Sequence, residues 1–275
     1  MLIHKSPHCF LFFLAFFLAC SASASEYITK IRLNVEHTNN SGLLSKSQAQ
    51  HDIKVAPSLV IDYRVGSGNF QSNLNYSATR NDYMKNAFAD RSDVLGSGTF
   101  LWKIFDRTLV WTLSQNRRRL KIDSLLGNDP SNQTNRNILQ TGPRLTIGFG
   151  RNNTFAVDAS YVESSFSQGS TNNSQQERLG LEYQRIINAQ DKLKVTVLAA
   201  EAKFDDSIFD YQFQRYNVTL ESNPRNFQYS IAIGHNSIDR NMGASLSGPY
   251  LSFSVSANKS NSSWSFSGNR ELTDS

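Results

Sequence analysis

Asn153-Thr154-Phe155-Ala156-Val157-Asp158-Ala159-Ser160-Tyr161 decides the fold. Phe155, Val157, Ala159 and Tyr161 alternate with Thr154, Asp158 and Ser160, a period of two that gives a strand one apolar and one polar face. The same period recurs outward in both directions. Ile53, Val55, Pro57, Leu59, Ile61 and Tyr63 alternate with Lys54, Ser58, Asp62 and Arg64. Phe70, Leu74, Tyr76 and Ala78 alternate with Gln71, Asn73, Asn75, Ser77 and Thr79, and Phe227, Tyr229, Ile231 and Ile233 with Gln228, Ser230 and Gly234. No segment keeps a helical period over ten or more residues.

Thirteen strands are expected, near residues 27–36, 52–65, 69–79, 92–102, 107–116, 138–149, 153–163, 177–187, 192–203, 212–222, 226–235, 248–257 and 262–271. Each is about ten residues, the length a tilted strand needs to cross a bilayer. Strands of soluble proteins are nearer five or six. Short turns at Gly66-Ser67-Gly68, 103–106, Gly150-Arg151-Asn152, 188–191, 223–225 and 258–261 alternate with long polar connections at 37–51, 81–91, 117–137, 164–176, 204–211 and 236–247. Transmembrane barrels keep that order, with short periplasmic turns and long outer loops. Tyr63, Phe70, Trp102, Phe105, Phe149, Phe155, Phe227 and Trp264 all lie beside short turns, as an aromatic girdle at one interface requires. The expected fold is therefore all-β, a transmembrane antiparallel up-and-down β-barrel over residues 25–275 in the outer membrane of a Gram-negative bacterium. A soluble secreted β-sandwich is the weaker alternative. Thirteen is an odd count, whereas single-chain bacterial barrels have even ones, so a chain incomplete at its C-terminal end is expected.

The first 24 residues are set apart. Lys5 precedes the apolar run from Cys9 to Cys20, and Ser21-Ala22-Ser23-Ala24 follows, the pattern of a cleaved secretory signal. Leu18-Ala19-Cys20 offers lipidation at Cys20 as an alternative, but Phe17 replaces the usual aliphatic residue. Both cysteines of the chain fall in this leader, so disulfides are not expected beyond it. Without Lys5 the basic residues number 27 against 23 acidic, a mild excess spread along the chain and no nucleic-acid footprint.

Asn128-Asp129-Pro130-Ser131-Asn132-Gln133-Thr134-Asn135-Arg136-Asn137, running into Ile138-Leu139-Gln140-Thr141-Gly142-Pro143-Arg144-Leu145 and a hairpin that reaches Tyr161, resembles a known family. It is similar to the outer-membrane β-barrel proteins associated with exosortase/PEP-CTERM and exopolysaccharide loci. The resemblance implies an outer-membrane location and a link to exopolysaccharide or biofilm export. It carries over no catalytic residue.

Little in the sequence points to chemistry. His37, His51 and His235 flank or lie in long connections without the close spacing a metal site needs. G-x-S-x-G is absent, and neither Gly66-Ser67-Gly68 nor Gly96-Ser97-Gly98 precedes a helix that could cradle phosphate. The first reads as a hairpin turn and the second as a strand interior where glycine permits curvature. No enzyme activity, cofactor or metal is expected. Arg117-Arg118-Arg119 opens the longest connection, where guanidinium forks suit lipopolysaccharide phosphates. Asp62, Arg64, Asn73, Asn75, Arg144, Asp158, Arg178, Glu182 and Lys194 fall on polar faces and are expected to face a lumen. That lumen either conducts a polar solute or glycan, or is plugged in a barrel that scaffolds a polysaccharide-export complex through its loops.

Overall fold

The computed structural model describes residues 25–38, 51–105, 108–123, 132–167, 173–224, 226–259 and 262–272. The leader lies outside them, as do Asn128–Ser131 of the Asn/Pro motif. The described residues form a single antiparallel sheet of thirteen strands in sequence order. The strands are β1 (Ser25–Thr38), β2 (Asp52–Gly66), β3 (Phe70–Tyr83), β4 (Arg91–Phe105), β5 (Leu109–Lys121), β6 (Gln133–Phe149), β7 (Asn153–Phe166), β8 (Ser174–Ile186), β9 (Asp191–Phe204), β10 (Tyr211–Ser222), β11 (Phe227–Arg240), β12 (Leu246–Lys259) and β13 (Ser262–Arg270). The count and order match the expectation from period two. A 3-10 turn, Ser207–Phe209, interrupts the connection before β10.

The strands are longer than expected, up to seventeen residues in β6. Most of the growth is toward the long connections, although β4 also takes in residues 103–105 and β12 residues 258–259 of short turns. Arg117–Lys121 and Gln133–Asn137, expected in a loop, pair with each other as β5 and β6. These segments have no apolar alternation, so backbone pairing rather than face burial extends them. Connections of five to thirteen residues still alternate with connections of two to four.

Register assigns every side chain to a face, because directly opposed residues of an antiparallel pair share one. On one face lie Leu145, Val157, Leu181 and Val197, opposed in that order across β6–β9. Ile31, Ile147, Leu179, Val218, Ile233, Leu251 and Phe266 share that face and are exposed, as are Leu181 and Val197, while Leu145 and Val157 are half-buried. Ala56, Ala156, Ala200, Ala202 and Ala232 lie on the other and are buried. We call the apolar face, which carries these exposed side chains, convex, and the polar face, which carries the buried alanines, concave. A sandwich would cover the apolar face with a second sheet, and the described residues contain one sheet only.

All eight expected girdle aromatics, from Tyr63 to Trp264, fall on the convex face near short turns. Trp111 and Tyr183 join them, opposed to Trp102 and Phe155. At the other end the apolar band stops at Glu163, Glu177 and Glu201. Between these limits it is about eight residues tall, roughly 20 Å once strand tilt is allowed for.

The sheet is not closed. β1 pairs only with β2 and β13 only with β12 among the described residues. Both edges are exposed along their length, with Ile31 85% accessible. β1 and β13 run in the same direction, so pairing them directly would make a parallel seam.

Candidate functional site

The nine residues expected to face a lumen lie together on the concave face. Asp62 and Arg64 oppose Asn75 and Asn73 across β2–β3. Arg144 opposes Asp158, and Glu182 is two strands on, opposite Ala156 and Thr196. Arg178 and Lys194 occupy the same face of β8 and β9.

Arg144 is the centre of this wall. Its Nη1 donates to both carboxylate oxygens of Asp158 at 2.8 Å, and its Nη2 to Glu182 Oε1 at 3.0 Å. One guanidinium therefore spans three strands and separates two carboxylates that would otherwise repel. The side chains are 45%, 40% and 28% exposed, so each pair is worth less than about 1 kcal/mol. Hairpin register creates the triad. The tight turn at 150–152 sets Phe149 opposite Asn153, and counting back from there brings Arg144 to Asp158.

The other candidate residues find different partners. Arg64 pairs with Asp62 on its own strand at 3.4 Å, and Lys194 donates to Glu221 on β10 at 2.6 Å. Arg178 donates to Gln176 at 2.7 Å. Two positions outside the nine expected ones complete the surface. Arg136 stacks over the Phe166 ring at 5.7 Å, and Arg215 lies against Tyr250 at 4.5 Å while pairing with Glu271 at 2.8 Å.

The arginine triplet does not form one cluster. Arg117, Arg118 and Arg119 lie in β5 rather than in a loop, which corrects the expectation. Consecutive residues of a strand alternate faces. Arg117 opposes Gly96 on the convex side, while Arg118 opposes Arg136 on the concave side. Arg119 is taken by Asp93, which also accepts from Arg91 Nε at 2.9 Å and Asn135 Nδ2 at 2.7 Å. Asp93 is 2% exposed, so its charge needs all three donors. Asp93→Ala should cost about 1–3 kcal/mol, the penalty for stranding buried donors, read as a lowered urea midpoint at unchanged slope. A midpoint within error of the parent would show that the cluster does not hold β4 to β5 and β6.

The histidines sit apart. His37 and His51 face each other at 6.3 Å, and Lys85 Nζ reaches His51 Nε2 at 2.8 Å. His235 stacks on Tyr216 at 5.5 Å. Among the described residues no group of three or more histidine, cysteine, aspartate or glutamate side chains is placed to hold a metal ion.

No family model and no curated protein matches the chain. Among solved structures it is similar to an outer membrane channel from Pseudomonas putida F1. The two share 10% identity at a TM-score of 0.40, over 83% of this chain and 92% of that one.

Proposed function

We propose that this chain is a non-enzymatic outer-membrane β-barrel of a Gram-negative bacterium, exported by a signal in residues 1–24, whose polar lumen conducts solute. One observation carries the reading: register puts exposed apolar side chains on the convex face and the nine polar candidates on the concave one. A soluble protein rarely leaves so large an apolar surface open, whereas a barrel needs that face for lipid. Inside a bilayer the edges of β1 and β13 must also be paired, since an open edge strands backbone donors and acceptors at several kcal/mol each.

We place the barrel in exopolysaccharide or biofilm export, on the resemblance of the Asn128–Tyr161 segment. Arg117, beyond the apolar band on the convex face, is the member of its triplet positioned to meet lipopolysaccharide phosphate. A scaffolding barrel without a conducting channel is the second reading. It is favoured by the mutual satisfaction of Arg144, Asp158 and Glu182, and of Lys194 and Glu221.

Conductance separates the two. Purified protein in planar bilayers should give stable, reproducible current steps. Silence from heat-modifiable, folded protein would overturn the conduit and leave the scaffold.

A further inference from the structure

The register sorts charge by face as well as polarity. On β5–β8, toward the long connections from Asp158, the concave face carries Arg118, Arg136 and Arg178, and on β10 Arg215 stands level with Asp158 in the register. Beyond Asp158 that face of β5–β10 carries no aspartate or glutamate. The acids at that height, Glu163, Glu177 and Glu201, all fall on the convex face. The acids of these strands are thus confined to the convex side at this height, where Arg117, Arg119 and Lys203 join them, while the concave side holds cations alone.

Arg118 and Arg136 are directly opposed neighbours, an arrangement that destabilises a sheet. Arg136 donates to Ser164 Oγ at 3.0 Å and Arg178 to Gln176, and neither these two nor Arg118 has an acidic partner among the described residues. Arg215 shows what such a site accepts. Its guanidinium lies against the Phe213 and Tyr250 rings, at 5.1 and 4.5 Å, and takes the Glu271 carboxylate at 2.8 Å.

We propose that this arginine track is an anion path through the lumen, and that the solute it serves bears carboxylates. The inference rests on the conduit reading above. Positive charge along a wall of low dielectric concentrates anions. A planar guanidinium matches a carboxylate in a fork. Arg215 already holds that of Glu271, and Arg136, held against the Phe166 ring, is already oriented for one. Solute carboxylates would relieve the repulsion between Arg118 and Arg136, which have no acidic partner among the described residues.

The test uses the whole protein in neutral-lipid bilayers under a potassium chloride gradient, with oligogalacturonate as acidic probe and maltooligosaccharide as neutral control. The reversal potential should fall toward that of chloride, with at least about threefold preference for anions. Oligogalacturonate should block current at lower concentration than the neutral sugar. The variant R118Q/R136Q/R178Q, which breaks no ion pair among the described residues, should lose most of both effects, and Arg178→Gln alone should lose part. Unselective or cation-selective current, equal block by both sugars, or an unchanged triple variant would each overturn the proposal while leaving a conduit standing. Absence of any current would instead overturn the conduit, and the track with it.

Discussion

Leu145→Arg or Val157→Arg should lower the stability of the protein in lipid by about 2–4 kcal/mol, the scale for arginine at the bilayer midplane of a barrel. The two residues oppose each other on the convex face, four positions above the turn that joins β6 to β7. That is the middle of the apolar band, too far from either edge for a guanidinium to reach water easily. Gln140→Arg makes the matching change on the concave face of β6, where Gln140 is exposed and opposes Ser114 and Val162. There arginine extends into a wet space already lined by arginines, so its cost should stay within about 0.5 kcal/mol. Asp158 offers no comparable control, because replacing it removes a partner of Arg144. The measurement is urea unfolding in lipid vesicles, followed by tryptophan fluorescence, with the slope checked for constancy. Equal penalties at Leu145 and Gln140 would mean that the sheet does not separate lipid from water.

Period two made the faces legible. Once Val157 is apolar-side, Asp158 must be polar-side, and a slip of one residue would invert the whole strand. That is why nine scattered polar residues, from Asp62 to Lys194, land on one surface. Partners were less legible, because they depend on register across strands and not on alternation within one. The Arg144–Asp158 pair could have been found by counting from the turn at 150–152, since a hairpin fixes its own register. The Arg215–Glu271 pair could not, since it joins residues 56 apart through β11 and β12. Strand ends failed for a different reason. Arg80-Asn81-Asp82 and Arg117-Arg118-Arg119 have no apolar face, so only the ladder of backbone bonds marks them as strand. Reading the arginine triplet as one loop cluster was the consequence. A strand necessarily sends its middle member to the opposite side.

Gly96→Ala should cost about 2–4 kcal/mol, as much as a charge in the lipid face. Gly96 has φ +149°, a conformation side chains rarely adopt, and an added Cβ would lie 2.1 Å from the Asn75 carbonyl oxygen and 2.7 Å from Tyr76 Cα. Both neighbours are backbone of the paired strand, so no rotamer change relieves the clash. Backbone strain of about 1–3 kcal/mol adds to overpacking of similar size. The reason for the conformation is visible in the ladder. β3 and β4 pair on to Arg91, but β4 and β5 stop pairing at Gly96 and Arg117. Gly96 lets β4 part from β5 there, and beyond it the Asp93 carboxylate meets Arg119. Gly66→Ala is the control, since a Cβ at Gly66 meets nothing within 4 Å, and it should stay within about 0.5 kcal/mol. Equal effects at the two glycines would remove the conformational argument. A double-mutant cycle adds the mechanism. If Gly96 serves to bring Asp93 to Arg119, then Gly96→Ala with Asp93→Ala should cost less than their separate penalties together, by about 0.5 kcal/mol or more. Strict additivity would show that the departure of β4 from β5 and the buried ion cluster are independent features of the sheet.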